Sequence, residues 1–186
     1  MIKIMNKNGS KNKNNNYAFI DGQNLHSGVS SLGWKVDYKK FREYLRDEFG
    51  VVKAFLFIGF MEENQDLYNA LQDAGFILFF KPILRHHDDA VKGNIDTELV
   101  LHVMIELGNY NQAVIVSGDG DFVSLVRHLI SINKLRALII PNKEGMSSLY
   151  KRIPENEQNK YFVYVNEVRG KIGFKNKKIF GKNHKN

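Results

Sequence analysis

Two apolar segments of the sequence end in turns that carry acidic residues. Residues 113–116 (AVIV) lead into 117–121 (SGDGD), and residues 17–20 (YAFI) lead into Asp21 and Gly22. Short runs of β-branched and aromatic residues before glycine-containing turns are typical of buried strands. In an open α/β sheet, ligands bind where such turns leave the carboxyl ends of the strands. These turns therefore supply three candidate site acids: Asp21, Asp119 and Asp121.

The periodicity of the chain predicts an α/β fold in which strands and helices alternate. We expect strands at 17–20, 51–58, 76–80, 112–116, 135–140 and 161–165, and helices at 38–49, 62–74, 94–108, 122–132 and 146–153. Such alternation implies a mostly parallel sheet of five to six strands with helices on both faces. Right-handed crossovers leave few windings, and the order 3-2-1-4-5 makes strands one and four neighbours. Asp21 would then lie beside Asp119 and Asp121.

Other details of these elements are also predicted. Leu67 and Leu71 should face the core from the third helix, residues 85–93 should form an irregular polar connection, and residues 24–30 should form a short helical turn. Asn94 is expected to cap the next helix, which places Asp96 in its first turn. The first turn of this helix, and Asp96 with it, is expected at the same end of the sheet as Asp21, Asp119 and Asp121.

Four clustered carboxylates, Asp21, Asp96, Asp119 and Asp121, would repel one another and lose solvation. Oxygen ligands of this kind suit Mg²⁺ or Mn²⁺. One ion, or a pair about 3.5–4 Å apart, would activate a water and stabilise the leaving oxygen of a phosphodiester. The chemistry that this set of residues favours is phosphodiester hydrolysis.

Three of these four acids also have a ready structural explanation. Asp96, Asp119 and Asp121 lie near helix N-termini, where carboxylates are favoured by capping and by the helix dipole. Asp21 has no obvious long helix to cap. Three further residues are candidates for substrate binding or for a purely structural role: Asn24, Ser117 and Lys92.

Histidines offer alternative metal or acid–base groups. His86 and His87 lie in a polar segment and are expected to be exposed, whereas His102 is expected to pack or pair at the edge of the core, with Glu98 four residues away. The pair of glycines around Asp119 lacks the third glycine of a dinucleotide fingerprint, and an aspartate would oppose a pyrophosphate. A nicotinamide cofactor is therefore excluded.

Positive charge is concentrated at the two ends of the chain. The formal net charge is +7, yet residues 1–16 hold four lysines and residues 170–186 hold six, with no acid in either segment. We expect disordered basic tails around one domain at 17–169, suited either to binding a polyanion or only to keeping the chain soluble.

There is no cysteine, which excludes disulfides and thiolate metal sites. No apolar run reaches the roughly 18 residues of a membrane span, and we expect a cytoplasmic protein.

The sequence resembles the NYN domain family, in the LabA-like branch of the PIN-like nuclease superfamily. The resemblance covers about residues 17–168 and rests on three segments: 19–25 (FIDGQNL), 92–96 (KGNID) and 117–122 (SGDGDF). It implies a Rossmann-like PIN fold, a divalent-metal site and RNA cleavage. By the same resemblance Asp21, Asp96 and Asp119 would be metal ligands, with Asp121 a ligand or an outer acid and Asn24 a polar neighbour. His102 stands where many relatives have a further aspartate, and residues 152–155 (RIPE) replace a common C-terminal element.

These observations lead to a metal-dependent ribonuclease that acts on RNA, expected to be single-stranded, with the tails, Lys92, Arg85 and a stacking platform at Trp34 as substrate contacts. The alternative is a catalytically inactive RNA-binding or regulatory module with the same fold. A third hypothesis is a phosphatase of small phosphoesters. The sequence leaves open whether the chain is a homodimer.

Overall fold

The computed structural model describes residues 15–81, 83–85, 90–92 and 95–174 of the 186. The strands are β1 (Asn16–Asp21), β2 (Val51–Gly59), β3 (Phe76–Lys81), β4 (Ile83–Arg85), β5 (Ala90–Lys92), β6 (Ala113–Val116), β7 (Leu135–Ile140) and β8 (Phe162–Tyr164). The α-helices are α1 (Gly22–Ser31), α2 (Tyr38–Phe49), α3 (Gln65–Asp73), α4 (Ile95–Ile105), α5 (Val123–Ser131), α6 (Glu155–Tyr161) and α7 (Val165–Ile172). Short 3-10 helices occur at Glu62–Asn64, Glu106–Gly108, Gly120–Phe122 and Ser148–Arg152.

The main sheet of the described residues has six strands in the order β3-β2-β1-β6-β7-β8. All five pairings are parallel, and in the β1–β6 pair Ile20 lies opposite Val116. The predicted order is confirmed, and the last predicted strand adds to the end of the sheet. Strands β2 and β3 extend the sheet on one side of β1, and β6, β7 and β8 extend it on the other. The two acid-bearing turns therefore follow adjacent strands, β1 and β6.

The sheet is packed on both faces because alternate residues of each strand point to opposite sides. One core contains Phe19, Phe55 and Ile115 and is covered by α4, α5 and α6. The other contains Ile20 and Val116 and is covered by α1, α2, α3 and α7. The central strands are thus buried on both faces, which explains their continuous apolar sequences. Among the described helices, none has the length and apolar character to cross a bilayer.

The third helix differs from its prediction. It starts with a 3-10 turn, and Leu67 remains 46% exposed, while Tyr68 is 3% exposed. The Tyr68 hydroxyl accepts a hydrogen bond from the Met61 amide (2.7 Å), which draws this side chain inward in place of Leu67. Leu71 is buried as predicted.

Other segments also differ from expectation. The expected irregular connection contains β4 and β5, which pair antiparallel. The helix expected at 146–153 is reduced to a 3-10 helix at Ser148–Arg152, and α6 and α7 were not predicted. Helix α7 extends to Ile172, and the next residue, Gly173, forms an antiparallel bridge with Val36. The folded part of the chain therefore continues beyond residue 169. Asn94 and residues 86–89 lie outside the described residues.

Candidate active site

Asp21 is a nearly buried carboxylate at the carboxyl end of β1. Its exposed fraction is 5%. Oδ1 accepts a hydrogen bond from the Asn24 backbone N–H (2.9 Å), and Oδ2 accepts one from the Ser117 hydroxyl (3.2 Å). Asp21 is also the N-cap of the ten-residue helix α1, so the expectation that it caps no long helix was wrong. Capping accounts for one carboxylate oxygen, and the other joins β1 to the turn after β6.

The protonation of Asp21 reflects both burial and neighbouring charge. The pKa of Asp21 is raised to about 6; burial is the largest cause, and the negative charges of Asp96 and Asp119 contribute to the rise. The hydrogen bonds from Asn24 and Ser117 act in the opposite direction, since they stabilise the ionised form. The structure therefore brings Asp96 and Asp119 within electrostatic range of Asp21.

Two polar side chains tie the acid-bearing turns together. The Asn24 side-chain Oδ1 accepts a hydrogen bond from the Gly118 N–H (2.8 Å), and the Ser117 hydroxyl oxygen accepts one from the Asp119 N–H (3.1 Å). Ser117 is fully buried, and its hydroxyl is shared between Asp21 and the Asp119 backbone. These bonds give Asn24 and Ser117 a clear role in positioning the acids.

Glycines allow both turns to pack closely. A Cβ on Gly22 would overlap the Ile58 side chain and lie 2.9 Å from the Phe57 carbonyl oxygen. A Cβ on Gly120 would lie 2.5 Å from Ser147 Oγ. A side chain at position 22 would therefore press on the backbone at the end of β2, whereas one at position 120 would require the Ser147 and Leu149 side chains to move.

The two acids of the second turn have different surroundings. Asp119 is half-buried and caps the 3-10 turn, with its Oδ1 accepting from the Asp121 N–H (3.1 Å). The Asp121 side chain is exposed and is not among the causes of the raised Asp21 pKa. The structure thus groups Asp21, Asp96 and Asp119, and leaves Asp121 at the outer rim.

Tyr150 is a contributor that the sequence pattern did not single out. It is fully buried, and its hydroxyl donates to the Asp119 carbonyl oxygen (2.9 Å). Burial, followed by the charges of Asp119 and Asp21, raises its pKa. The neighbouring Ser147 N–H donates to the Gly118 carbonyl oxygen (3.0 Å). The segment after β7 therefore supports the second turn from outside, which no local sequence signal indicated.

Asp96 and Lys92 lie on either side of residues 93 and 94, which are outside the described part of the chain. Asp96 lies half-buried in the first turn of α4, as predicted. The backbone of Lys92 ends β5, and its side chain, like Arg85, His86 and His87, lies outside what the structure describes.

His102 is not part of this group of acids. Its ring packs against four phenylalanine rings with centroid distances of 4.3–6.3 Å: Phe19, Phe55, Phe57 and Phe79. Its Nε2 is buried and has no hydrogen-bond partner. Burial is the main cause of its lowered pKa, with opposing effects from Glu106 and Glu98. The expectation of a packed residue at the core edge agrees with this position.

The carboxylates of Asp21, Asp96 and Asp119 are chemically suited to bind a divalent cation. Their oxygens are the ligands that Mg²⁺ and Mn²⁺ prefer. A cation would also stabilise the ionised form of Asp21, whose pKa is raised mainly by burial and further by Asp96 and Asp119. In their present conformations, no three acidic or histidine side chains of the described residues are arranged to hold an ion. The salt bridges of the described residues do not involve Asp21 or Asp119: they join Lys40 to Asp37, Arg46 to Asp47 and Lys171 to Glu48.

Comparisons with known proteins agree with the fold. LabA ("low amplitude and bright protein") of Synechococcus elongatus is 26% identical over 164 residues, which cover 83% of this chain and 85% of LabA. The crystal structure of a protein of unknown function from Vibrio parahaemolyticus has a TM-score of 0.67 at 20% identity, over 89% of this chain and 100% of that one. At this identity the likeness shows the fold alone.

The model of one family spans most of the folded chain. It matches residues 17–151, which include Asp21, Asp96 and Asp119. The family is PIN-like and of the nuclease type, as the three sequence segments predicted. The chain belongs to the NYN domain family.

Proposed function

We propose that this chain is a metal-dependent ribonuclease that acts on single-stranded RNA in the cytoplasm. The observation that carries the proposal is the buried Asp21, whose pKa is raised to about 6 with Asp96 and Asp119 among the causes. Burying an acid next to two others costs stability, and such costs are concentrated at functional sites. Membership of a nuclease-type family favours this reading.

In the proposed site, Asp21, Asp96 and Asp119 would hold Mg²⁺ or Mn²⁺. Asp121 would lie nearby without binding the ion directly. Such a cation, when bound, lowers the pKa of water and stabilises charge on the phosphate and the leaving oxygen.

The residues of the chain prepare this site by holding the acids in place. The Asn24 N–H and the Ser117 hydroxyl fix both oxygens of Asp21. Above pH 6 Asp21 is mostly ionised and able to act as a ligand, since its pKa is about 6. The Asn24 side chain braces the Gly118 N–H, which keeps the second turn against the first. We assign Ser117 and Asn24 mainly to positioning, and Lys92 to the approach of the substrate phosphate.

A catalytically inactive RNA-binding module is the second candidate. It is favoured by one observation: the described acids do not converge as a ready-made set of three ligands. The same basic chain ends would then serve binding alone.

Cleavage of a labelled single-stranded RNA, with and without Mn²⁺, tests the proposal. We expect metal-dependent products from the wild type, none from Asp119→Asn and normal cleavage by Asp66→Asn, which alters an exposed acid on α3. Tight binding without cleavage would support the inactive module. Cleavage that survives Asp119→Asn would contradict the assigned site.

Metal binding gives a readout that does not depend on activity. Mn²⁺ should raise the unfolding midpoint more at pH 7.5 than at pH 5, because a protonated Asp21 binds metal poorly. Asp96→Asn should abolish this rise. An equal rise at both pH values, or in both proteins, would exclude Asp21 and Asp96 as ligands.

A further inference from the structure

A second concave site lies beside α1, away from the acids. Its volume is about 420 Å³, and it is lined by one side of α1, by the connection into α2, by α3 and by Phe174. The walls are mainly apolar, with Val29, Leu67 and Leu71 among the lining residues. We call this the Trp34 pocket. Its size and apolar lining are typical of ligand sites.

Aromatic and basic side chains meet at this pocket. Trp34 and Tyr38 line it, and the exposed Lys35 and Lys39 lie at the same place. The acid Asp37 is also present, but Lys40 lies 3.1 Å from its carboxylate and offsets its charge. The pocket thus combines flat rings and apolar walls with a net positive rim. Aromatic side chains within a positive groove are the usual means of binding unpaired bases.

The aromatic side chains of the Trp34 pocket are held in position. The Arg169 guanidinium lies 5.7 Å from the centre of the Trp34 ring, and the Tyr38 ring packs edge-on against Phe76 at 6.1 Å. The backbone of the connection is tied to the end of α7 through hydrogen bonds from the Asp37 N–H to the Ile172 oxygen (2.8 Å) and from the Phe174 N–H to the Lys35 oxygen (3.2 Å). Little ordering of the site would accompany binding, which favours affinity.

Helix α1 connects the Trp34 pocket with the acids. Asn24 lies in the acid site, whereas His26, Val29 and Ser30 line the pocket on another side of the same helix. From Asn24, these three residues lie about 3–9 Å farther along the helix axis. A strand bound at the acids would cross α1 to reach the pocket, so the base that it receives belongs to a nucleotide near the scissile phosphate.

We propose that the Trp34 pocket binds an unpaired base of a single-stranded RNA, with Lys35 and Lys39 near its phosphates. The identity of the ligand rests on the proposed function, but binding at the pocket does not require cleavage. Base-paired RNA would be excluded because its bases are already stacked and paired.

Trp34 is the only tryptophan of the chain, so its fluorescence reports on this pocket. The protein is titrated with a single-stranded RNA oligonucleotide in EDTA, where no cleavage occurs, and the titration is repeated with Asp119→Asn. We expect saturable quenching by single-stranded RNA and none by a duplex of the same sequence. Absence of quenching by the single strand, or equal quenching by the duplex, would overturn the proposal even if cleavage is observed.

A variant that fills the pocket provides the matched test. Ala70→Phe adds a ring at an exposed position of α3 that lines the pocket, whereas Gln72→Phe adds one on the same helix outside the lining. Ala70→Phe should weaken RNA binding about five- to a hundredfold, the range for loss of one stacked base, and Gln72→Phe should leave it unchanged. Melting temperatures check that both variants fold. Equal affinities of the two variants would contradict the proposal.

Other occupants give different results. Quenching by free mononucleotides but not by the oligonucleotide would make this a small-molecule site. A change in Trp34 emission on removal of residues 175–186, with no response to RNA, would mean that the chain's own end occupies the pocket. Either result overturns base binding.

Discussion

Ser117, after β6, donates a 3.2 Å hydrogen bond to Oδ2 of Asp21, at the end of β1, although 96 residues separate them in the chain. The same hydroxyl accepts from the Asp119 N–H. The buried hydroxyl oxygen of Ser117 thus links both acid-bearing turns by hydrogen bonds. Its loss should affect the protonation of Asp21 as well as the stability of the fold.

Replacing Ser117 with alanine should raise the pKa of Asp21, because the ionised carboxylate loses a donor. The acidic limb of metal-dependent activity, on which activity rises as Asp21 ionises, should then shift to higher pH. The unpaired Asp119 N–H should cost about 1–3 kcal/mol of stability. The pH profile of cleavage and urea unfolding measure the two effects. Ser147→Ala is the control in the adjoining loop. A pH profile that is unchanged in Ser117→Ala would show that the hydroxyl has a structural role only.

Asp21→Asn should abolish cleavage and stabilise the fold at neutral pH. The folded-state pKa of about 6 lies above the ordinary value of 3.8, so the folded wild type holds a proton that the unfolded chain releases between these values. Stability is therefore greatest below pH 4 as far as this group is concerned, and is lost as pH rises through about 6. The asparagine variant should gain about 2–3 kcal/mol at pH 7.5 and little at pH 4.

Urea unfolding of wild type and Asp21→Asn at both pH values checks this expectation. Asp66→Asn should show no comparable gain. If the asparagine variant were equally destabilised at both pH values, the capping role of Asp21 would outweigh the cost of burying its charge.

His102→Leu should stabilise the protein most in mild acid. Burial lowers the pKa of His102 from 6.5, so the unfolded chain binds a proton that the folded chain does not. Wild-type stability should consequently fall as pH drops below about 6.5. Leucine removes both this effect and the unpaired Nε2. Unfolding midpoints of the two proteins at pH 8 and pH 5.5 should diverge toward the lower pH.

The same variant tests whether His102 serves as a metal ligand. Since His102 lies among four phenylalanine rings, the effect of Mn²⁺ on the unfolding midpoint should be the same in His102→Leu as in the wild type. Loss of that effect would place the histidine in the metal site.

Removal of residues 1–14 and 175–186 should weaken RNA binding and reduce its salt dependence. These segments hold nine lysines, and each phosphate contact that is lost removes counterion release. Deletion of all of 170–186 is unsuitable because Ile172 is fully buried. Affinities measured at several salt concentrations give the slope. An unchanged slope would assign the lysines to solubility.

The order of the sheet was predictable because β1, β2, β6 and β7 carry mainly apolar sequences, which a sheet covered on both faces can bury. Helix α1 was underestimated as a short turn, since its sequence is polar and contains two glycines. It forms because Asp21 caps it and because Leu25 and Val29 are buried. Here tertiary packing overrides a weak local preference.

The site was predicted at the level of strand ends, and the differences among its acids were not. Asp119 and Asp121 occupy equivalent places in the sequence pattern, yet only Asp119 is near enough to raise the pKa of Asp21. That distinction depends on the backbone turn at Gly120–Phe122 and on support from Tyr150. The contribution of Tyr150 is not encoded in local spacing, because this residue lies beyond β7 in the chain.

The adjacency of β1 and β6 also bears on synthesis of the protein. During translation the first acid-bearing strand leaves the ribosome long before its partner, and the parallel β1–β6 pairing cannot form until the chain has been made past Ser117. Incomplete nascent chains therefore contain Asp21 without the turn that orients it. The two acid-bearing turns can therefore come together only late in synthesis, after most of the chain has been made.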